Sequence, residues 1–146
     1  MTDTVGVRTI SANPVDWNTK DGWFVDLNPA NTSPGERVNL DPVLVLGTLV
    51  AVGNVPGSSA CTTGGSSFLY QFDYKTGSYV STSPGGVVGQ PSSGQITVGI
   101  VVVRLPSGQF KVISTGATGT KTTFGVNTGA GGGGARRVSW RELFLQ

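Results

Sequence analysis

Short apolar runs separated by turn-forming residues extend through the whole chain, and this pattern predicts strands. Helical spacing at i, i+3, i+4 and i+7 is nearly absent, because Gly, Pro, Asn and Ser interrupt the β-branched and apolar residues. The predicted strands are residues 23–27, 36–40, 43–52 with a kink or bulge at Gly47, 68–72, 78–81, 95–105, 110–113, 122–126 and 137–144. The fold is therefore expected to be all-β.

Two of the predicted connections carry specific turn chemistry. The Asp73 side chain can accept backbone N–H groups two residues on, and Gly77 can adopt a positive φ, so residues 73–77 predict a tight hairpin turn. Pro-Ser-Gly at residues 106–108 predicts a second hairpin. The run at residues 100–103 is apolar at every position, which predicts burial on both faces of its sheet.

Length and composition favour one turn-rich domain over residues 1–146. The chain has 146 residues, 23 Gly and 8 Pro, and its 12% of charged residues is about half the usual share of roughly 25%. Residues 115–135 consist almost entirely of Gly, Thr, Ala and Asn, so they are expected to form a loop region around the weak strand at 122–126.

The residue types in the chain exclude several classes of function. The sequence has no His, which removes the commonest general base, the Ser-His and Cys-His pairs, and every zinc site that uses His. A net charge of +2 is too small to indicate binding to nucleic acid or to an anionic membrane. The longest apolar stretch, residues 43–52, is about half the length of a transmembrane helix. These features favour a non-enzymatic protein that binds no nucleic acid and has no transmembrane segment.

The termini and the single Cys61 bear on the cellular compartment. Residues 1–4 are polar and do not resemble a signal peptide, so a secreted protein would contain this chain as an excised piece. Cys61 cannot form a disulfide within the chain. It is expected either to bond to a Cys outside this chain or to remain a free thiol.

Spacing disfavours two candidate ligand sites, and no residue pattern singles out a third. Residues 116–122 lack the Gly before the Lys that a phosphate-binding loop requires. Residues 16–22 place Lys20 at the third ligand position of a calcium loop, so a turn is the better interpretation. The available carboxylates do not single out a glycosidase pair, and Glu36 or Arg37 is expected in a partly exposed ion pair.

A series of motifs in fixed order resembles the closing part of the PilC/PilY family of type IV pilus factors. The motifs are Asp-Trp at 16–17, Gly-Trp-Phe-Val-Asp-Leu at 22–27, Gly-Glu-Arg-Val at 35–38, Asp-Pro at 41–42, Asn-Val-Pro at 54–56, Ser-Ala-Cys at 59–61, Gly-Gly at 64–65, Tyr-Gln-Phe-Asp at 70–73, Thr-Gly at 76–77 and Arg-Arg-Val-Ser-Trp-Arg-Glu-Leu at 136–143. The resemblance covers most of the chain from Asp16 onward.

The resemblance implies a C-terminal fragment of the β-propeller of a large secreted protein, found at the pilus tip or outer membrane. Such proteins promote pilus assembly, oppose retraction, and act in attachment and twitching motility. The implied partners are pilus subunits or minor pilins, and a host or surface ligand. Several family members bind calcium through an Asp-rich loop in the propeller, and since that loop is absent here, no cofactor or metal is expected.

Six residues of these motifs are expected to fix the blade fold, and none is assigned a binding, catalytic or metal role. They are Trp23, Arg37, Asp41, Tyr70, Asp73 and Trp140.

Blade length limits the architecture. Because a blade takes roughly 40–45 residues, the chain holds about three blades, fewer than a closed propeller needs. We expect antiparallel sheets in a partial β-propeller, or a compact sandwich-like or barrel-like arrangement of the same strands. Open sheet edges then make self-association through strand pairing an expectation.

The leading hypothesis is a non-enzymatic structural and interaction module of a pilus biogenesis and adhesion factor. The alternative is a carbohydrate-binding β module, in which Trp17, Trp23 and Trp140 form a sugar-stacking face rather than core. A quinoprotein-like propeller fragment is a third hypothesis, because residues 73–77 resemble the turn of such blades.

Overall fold

The computed structural model describes residues 1–4, 6–13, 15–57 and 64–128, and its regular elements are nearly all strands. They are β1 (Thr2–Thr4), β2 (Val7–Thr9), β3 (Val43–Val45), β4 (Thr48–Pro56), β5 (Gly65–Asp73), β6 (Val87–Pro91), β7 (Thr97–Arg104), β8 (Phe110–Gly116) and β9 (Lys121–Gly125), with 3-10 turns at Pro29–Asn31 and Pro84–Gly86. Within this part of the chain, no helix is long and apolar enough to cross a membrane.

The strands form two antiparallel sheets. The large sheet has six strands in the order β1-β2-β6-β5-β4-β3, and the small sheet has three in the order β7-β8-β9. The longest pairing joins β4 and β5 over nine residue pairs, from Thr48 opposite Asp73 to Pro56 opposite Gly65. The expected all-β fold with antiparallel sheets is confirmed. The described strands do not close into a barrel and are compatible with a sandwich or a partial propeller.

Apolar side chains of β4 and β5 point alternately to the two faces of the large sheet, and both faces are buried. Val50, Val52 and Leu69 point to one face, where they pack with Val112 and Phe124 of the small sheet. Burying each of these side chains stabilises the fold by about 1.5–3 kcal/mol. This first core holds the two sheets together.

The opposite face of the large sheet carries a second core, made of Ala51, Tyr70, Phe72 and Val88. No sheet covers it. Instead, apolar side chains of the N-terminal segment pack over it, including Ile10, Trp23, Val25 and Leu27. We call this side the outer face of the large sheet.

Side-chain amides tie the two sheets together at both ends of the first core. Asn54 of β4 accepts a hydrogen bond from the Thr97 N–H at 2.9 Å and donates one to the Thr97 carbonyl at 2.9 Å. Gln71 of β5 donates to the Gly125 carbonyl at 2.8 Å and accepts from the Asn127 N–H at 2.7 Å. Each amide thus satisfies two backbone groups that no neighbouring strand reaches.

Several predicted strands are confirmed, whereas others are replaced by irregular chain. Segments 68–72, 95–105, 110–113 and 122–126 correspond to β5, β7, β8 and β9. Residues 23–27 and 36–40 form no regular strand, and only Arg37 pairs as an isolated bridge, with Asn54. Likewise, residues 78–81 contribute one bridge, between Tyr79 and Phe72. The segment at 82–94, which reads as Gly, Pro and Ser-rich, contains β6.

Two details differ from the expected strand geometry. The kinked strand predicted at residues 43–52 is a two-residue hairpin, in which Leu46 and Gly47 have φ values of +44° and +81° and Val45 lies opposite Thr48. The burial predicted for both faces of residues 100–103 is wrong for this part of the structure, because Val101 is 60% exposed. Only alternate residues, Ile100 and Val102, pack against the first core.

The predicted Gly/Thr-rich region at 115–135 contains the end of β8, a turn at residues 117–119 and β9. Its residues 129–135, the strand predicted at 137–144, Cys61 and Trp140 lie outside the described residues.

Candidate interaction site

A row of aromatic rings follows the outer face of the large sheet. Phe68, Tyr70 and Phe72 alternate along β5 and therefore point to the same face. The rings of Tyr70 and Phe72 stack with centroids 5.5 Å apart and planes 6° apart. Trp23 from the N-terminal segment extends the row, its ring centroid 6.1 Å from that of Phe72. We call these four residues the aromatic row.

A buried ion pair lies at the Phe68 end of this row. Arg8 Nη1 donates hydrogen bonds to Glu36 Oε2 and to Tyr70 Oη, and Tyr70 Oη donates to Glu36 Oε1 at 2.7 Å. The guanidinium carbon of Arg8 lies 3.6 Å from the Phe68 ring centroid. Arg8 is 2% exposed, and the Glu36 side chain is fully buried. This Arg8–Glu36–Tyr70 cluster joins β2, β5 and the segment before β3.

The electrostatics of the cluster hold Arg8 and Tyr70 each in one protonation state. Burial raises the pKa of the Tyr70 phenol, and its hydrogen bond to the Glu36 carboxylate raises it further. Burial by itself lowers the pKa of Arg8, but hydrogen bonding and attraction to Glu36 outweigh it, so that this pKa lies above its usual value. Arg8 therefore stays charged and Tyr70 stays neutral. Arg8 Nε lies 3.9 Å from an Asp3 carboxylate oxygen and has no hydrogen-bond partner among the described residues.

Two glycines in strand interiors make room for this cluster. A Cβ atom on Gly53 would overlap the Glu36 carboxylate. Gly89 lies opposite both Arg8 and Tyr70 in the large sheet, and a Cβ atom there would lie 2.7 Å from the Tyr70 ring. Gly inside a strand commonly marks the close approach of another group, so these two glycines were the sequence signal for the buried site.

The turn at residues 73–77 positions the other end of the aromatic row. Asp73 Oδ1 accepts hydrogen bonds from the two backbone N–H groups that follow Tyr74, at 3.0 and 3.1 Å, and the Gly77 N–H donates to the Asp73 carbonyl at 2.8 Å. Gly77 has a φ of +67°, and a side chain there would overlap the Trp23 ring. Trp23 Nε1 donates to the Tyr74 carbonyl at 2.9 Å. The predicted turn is confirmed, and it anchors Trp23.

Next to this anchor the N-terminal segment presents apolar rings to solvent. Phe24 is 92% exposed and Trp17 is 54% exposed. A cleft of about 390 Å³ runs beside Phe24, and its lining includes the polar residues Asn13, Lys20 and Asp26. We call this the N-terminal cleft. Because consecutive side chains of an extended chain point in opposite directions, the packing of Trp23 against the second core directs Phe24 outward.

The sequence-predicted fold residues separate into two groups. Trp23, Tyr70 and Asp73 lie together around the aromatic row, as described above. Arg37 and Asp41 are both exposed, and Arg37 takes part through its backbone, which exchanges hydrogen bonds of 2.9 and 2.8 Å with Asn54. Among the residues that the structure describes, Arg37 and Asp41 have no side-chain contact that explains a role in the fold.

The expected ion pair is corrected by the structure. The Glu36 side chain is fully buried instead of partly exposed, and its partner is Arg8, 28 residues away in sequence. Sequence reasoning missed Arg8 altogether.

The loop at residues 16–22 forms a turn. The Asp16 carboxylate accepts hydrogen bonds from the backbone and side chain of Asn18 and from the Thr19 hydroxyl, which lower the pKa of Asp16. Among the described residues, no three Asp, Glu, Cys or His side chains come close enough together to hold a metal ion.

A segment of 72 residues, 48% of the chain, is 38% identical to a protein of Xylella fastidiosa (strain Temecula1) described as a type IV pilus biogenesis factor PilY1 homolog. The chain spans about one twentieth of that protein's length, since the match covers 5% of it. No protein-family model and no solved structure matches the chain. The resemblance to PilY-type pilus proteins that the motifs predict is thereby confirmed.

Proposed function

We propose that the chain is a non-enzymatic structural and interaction module of a type IV pilus biogenesis factor. The observation that carries this proposal is the 38% identity over 72 residues to the PilY1 homolog. As part of a larger secreted protein, the module acts at the pilus tip or outer membrane in pilus assembly, resistance to retraction, attachment and twitching motility. Its partners are pilus subunits or minor pilins, and a host or surface ligand.

The surface around the N-terminal cleft supports an interaction role. An aromatic side chain that is 92% exposed, as Phe24 is, contributes little to the fold and leaves its apolar area in water. Aromatic residues, including Phe, are also enriched at protein interfaces relative to the rest of the surface. The backbone that carries Phe24 is held in a defined place because Trp23, its neighbour, is fixed by the Tyr74 carbonyl. Phe24 is thus a positioned contact residue.

The test replaces Phe24 in the full-length parent protein. Phe24→Ser should lower surface piliation or attachment several-fold without changing the circular dichroism spectrum or thermal midpoint. Leu44→Ser is the matched control, because Leu44 is also exposed, at 57%, but lies on β3. Unchanged piliation and attachment after deletion of residues 1–146 would contradict the proposal as a whole.

A carbohydrate-binding module is the second candidate, and the composition of the N-terminal cleft favours it. An exposed ring at Phe24 beside the amide of Asn13 and the charges of Lys20 and Asp26 is the type of surface that binds sugars. A glycan array that binds the wild-type chain and loses binding with Phe24→Ser would support this function. An array without binding, and no change of Trp fluorescence with any sugar, would remove it.

A further inference from the structure

The outer edge of β7 is closed at one end and open at the other. At Thr97, the backbone N–H and carbonyl both bond to the Asn54 side chain, so this amide occupies the position of a neighbouring strand. A register shift follows between Thr97 and Gly99. From Ile100 to Arg104, no described residue outside the small sheet bonds to the backbone of the strand.

The phase of the ladder shows which backbone groups face this open edge. The Leu105 N–H donates to the Gln109 carbonyl at 2.8 Å, at the start of the hairpin between β7 and β8. Alternate residues of an antiparallel strand bond to the same neighbour. Odd-numbered residues after the bulge therefore bond β8, and Ile100, Val102 and Arg104 direct their N–H and carbonyl groups to the open edge.

Residues 100–104, which follow the bulge of β7, themselves carry few of the features that usually protect an edge. Protected edges carry Pro, several charges or a bulge, or are very short. Residues 100–104 include one charged residue, Arg104, and no Pro. On the solvent face Val101 is 60% exposed, with Val103 on the same face and Ile113 opposite Val101 on β8. By contrast, β1 and β3 have three residues each, and β9 begins with Lys121.

We propose that this open edge pairs with the same segment of a second copy of the chain, antiparallel, about a two-fold axis at Val102. In this register Val102 lies opposite Val102 of the second copy, and Ile100 lies opposite Arg104 of the second copy. All the backbone groups that point outward are then satisfied in both copies. The two small sheets become one continuous six-stranded sheet.

The side chains favour a second copy over an unrelated strand. Val101 lies opposite Val103 of the second copy in the closely spaced type of pair, so four valines meet on the solvent face. The two Arg104 residues stand four positions apart, at about 14 Å, which exceeds the Debye length of about 8 Å. The only charged residues of the segment therefore do not oppose the pairing.

Sedimentation equilibrium of the 146-residue chain provides the first test. Five paired residues bury less area than a standard interface, so we expect a weak dimer, with a Kd above about 10 µM. Val101→Lys, which places a lysine against the valines of the other copy, should raise the Kd by about tenfold or more. The matched control is Val98→Lys, since Val98 is 54% exposed on the same strand but precedes the paired segment.

Amide exchange measured by NMR tests the register. Protection at Ile100, Val102 and Arg104 should increase with protein concentration, whereas the Thr97 amide, already bonded to Asn54, should be protected at every concentration. A chain that stays monomeric with fast exchange at the three amides would refute the proposal. Concentration-independent protection would show that another segment of the same chain covers the edge. An equal loss of dimer in both lysine variants would place the contact elsewhere. Each of these results overturns the pairing, and none of them bears on the pilus assignment.

Discussion

Replacing Arg8 by Met should destabilise the fold strongly, because it leaves a buried carboxylate without its cation. The Glu36 side chain is fully buried, and besides Arg8 its hydrogen-bond partner is the Tyr70 hydroxyl. Removing one member of a buried ion pair typically costs about 3–5 kcal/mol. A domain of this size has a total free energy of unfolding of about 5–15 kcal/mol. Arg8→Met therefore removes a large fraction of the stability.

Urea unfolding followed by circular dichroism measures this loss. The midpoint should fall with little change in m, and the thermal midpoint should fall by roughly 6–20 °C. Arg104→Met is the control, because Arg104 also lies over an aromatic ring but is exposed to solvent. Its guanidinium carbon lies 6.0 Å from the centre of the Phe110 ring. The effect of this substitution should stay within about 0.5 kcal/mol.

A double-mutant cycle separates charge from packing. Adding Glu36→Gln to Arg8→Met removes the uncompensated charge, so the double variant should be more stable than the sum of the single effects predicts, by about 1–3 kcal/mol. The reasoning is refuted if Arg8→Met costs less than about 1 kcal/mol, or if the two effects are additive.

Three further predictions concern pH, close approach and backbone conformation. The pKa of Tyr70 is higher in the folded chain than its unfolded value of about 10. The contribution of Tyr70 to the free energy of unfolding is therefore fully present below about pH 10, and it falls by about 1.4 kcal/mol for each pH unit above that. Urea unfolding of wild type above about pH 10 should thus show a steeper loss of stability than Tyr70→Phe, and equal slopes would contradict this. Gly53→Ala should destabilise by about 1–3 kcal/mol because its Cβ atom meets the Glu36 carboxylate, whereas Gly99→Ala, with open space around it, should change stability by less than about 1 kcal/mol. Leu46→Asn should raise the free energy of unfolding by about 1 kcal/mol, since Asn tolerates a φ of +44° better than Leu, and a loss of stability would show that packing of Leu46 outweighs its backbone strain.

Local turn chemistry explains which parts of the fold were predictable from sequence. The turn at 73–77 and the hairpin at 106–108 each depend on residues a few positions apart, so their geometry is encoded locally. Strand β5 follows because its alternation and its closing turn agree. The hairpin at Leu46 was missed, since Leu at a positive φ is rare and a bulge at Gly47 was the simpler interpretation.

The segment at 23–27 shows that alternation of apolar and polar residues does not by itself establish a paired strand. Trp23, Val25 and Leu27 do point inward together, since all three pack against the second core. They form no strand because this extended chain lies across the face of the large sheet and not at its edge. Alternation therefore predicted the correct buried side chains but not the hydrogen-bond partners.

The buried cluster was not predictable from local sequence. Arg8 contacts Glu36 and Tyr70, which are 28 and 62 residues away, and charged residues are usually exposed. Nothing near Arg8 in sequence distinguishes it from a surface arginine. Only the glycines at 53 and 89 indicated close approach, and they did not indicate which group approaches.

An irregular segment lies over the outer face, and the Arg8–Glu36–Tyr70 cluster helps to hold it. The cluster therefore influences any interaction at the N-terminal cleft. A segment without a strand ladder depends on side-chain contacts to stay in place, and such segments open at lower free energy than paired strands. The segment that carries Phe24 is held by Trp23 on one side and by Glu36 further along the chain. Arg8→Met should therefore weaken binding through Phe24 although Arg8 itself is buried. Pairing through the edge of β7 should persist under conditions in which this variant remains folded, because β7 lies in the other sheet. The two surfaces are thus expected to be separable by mutation.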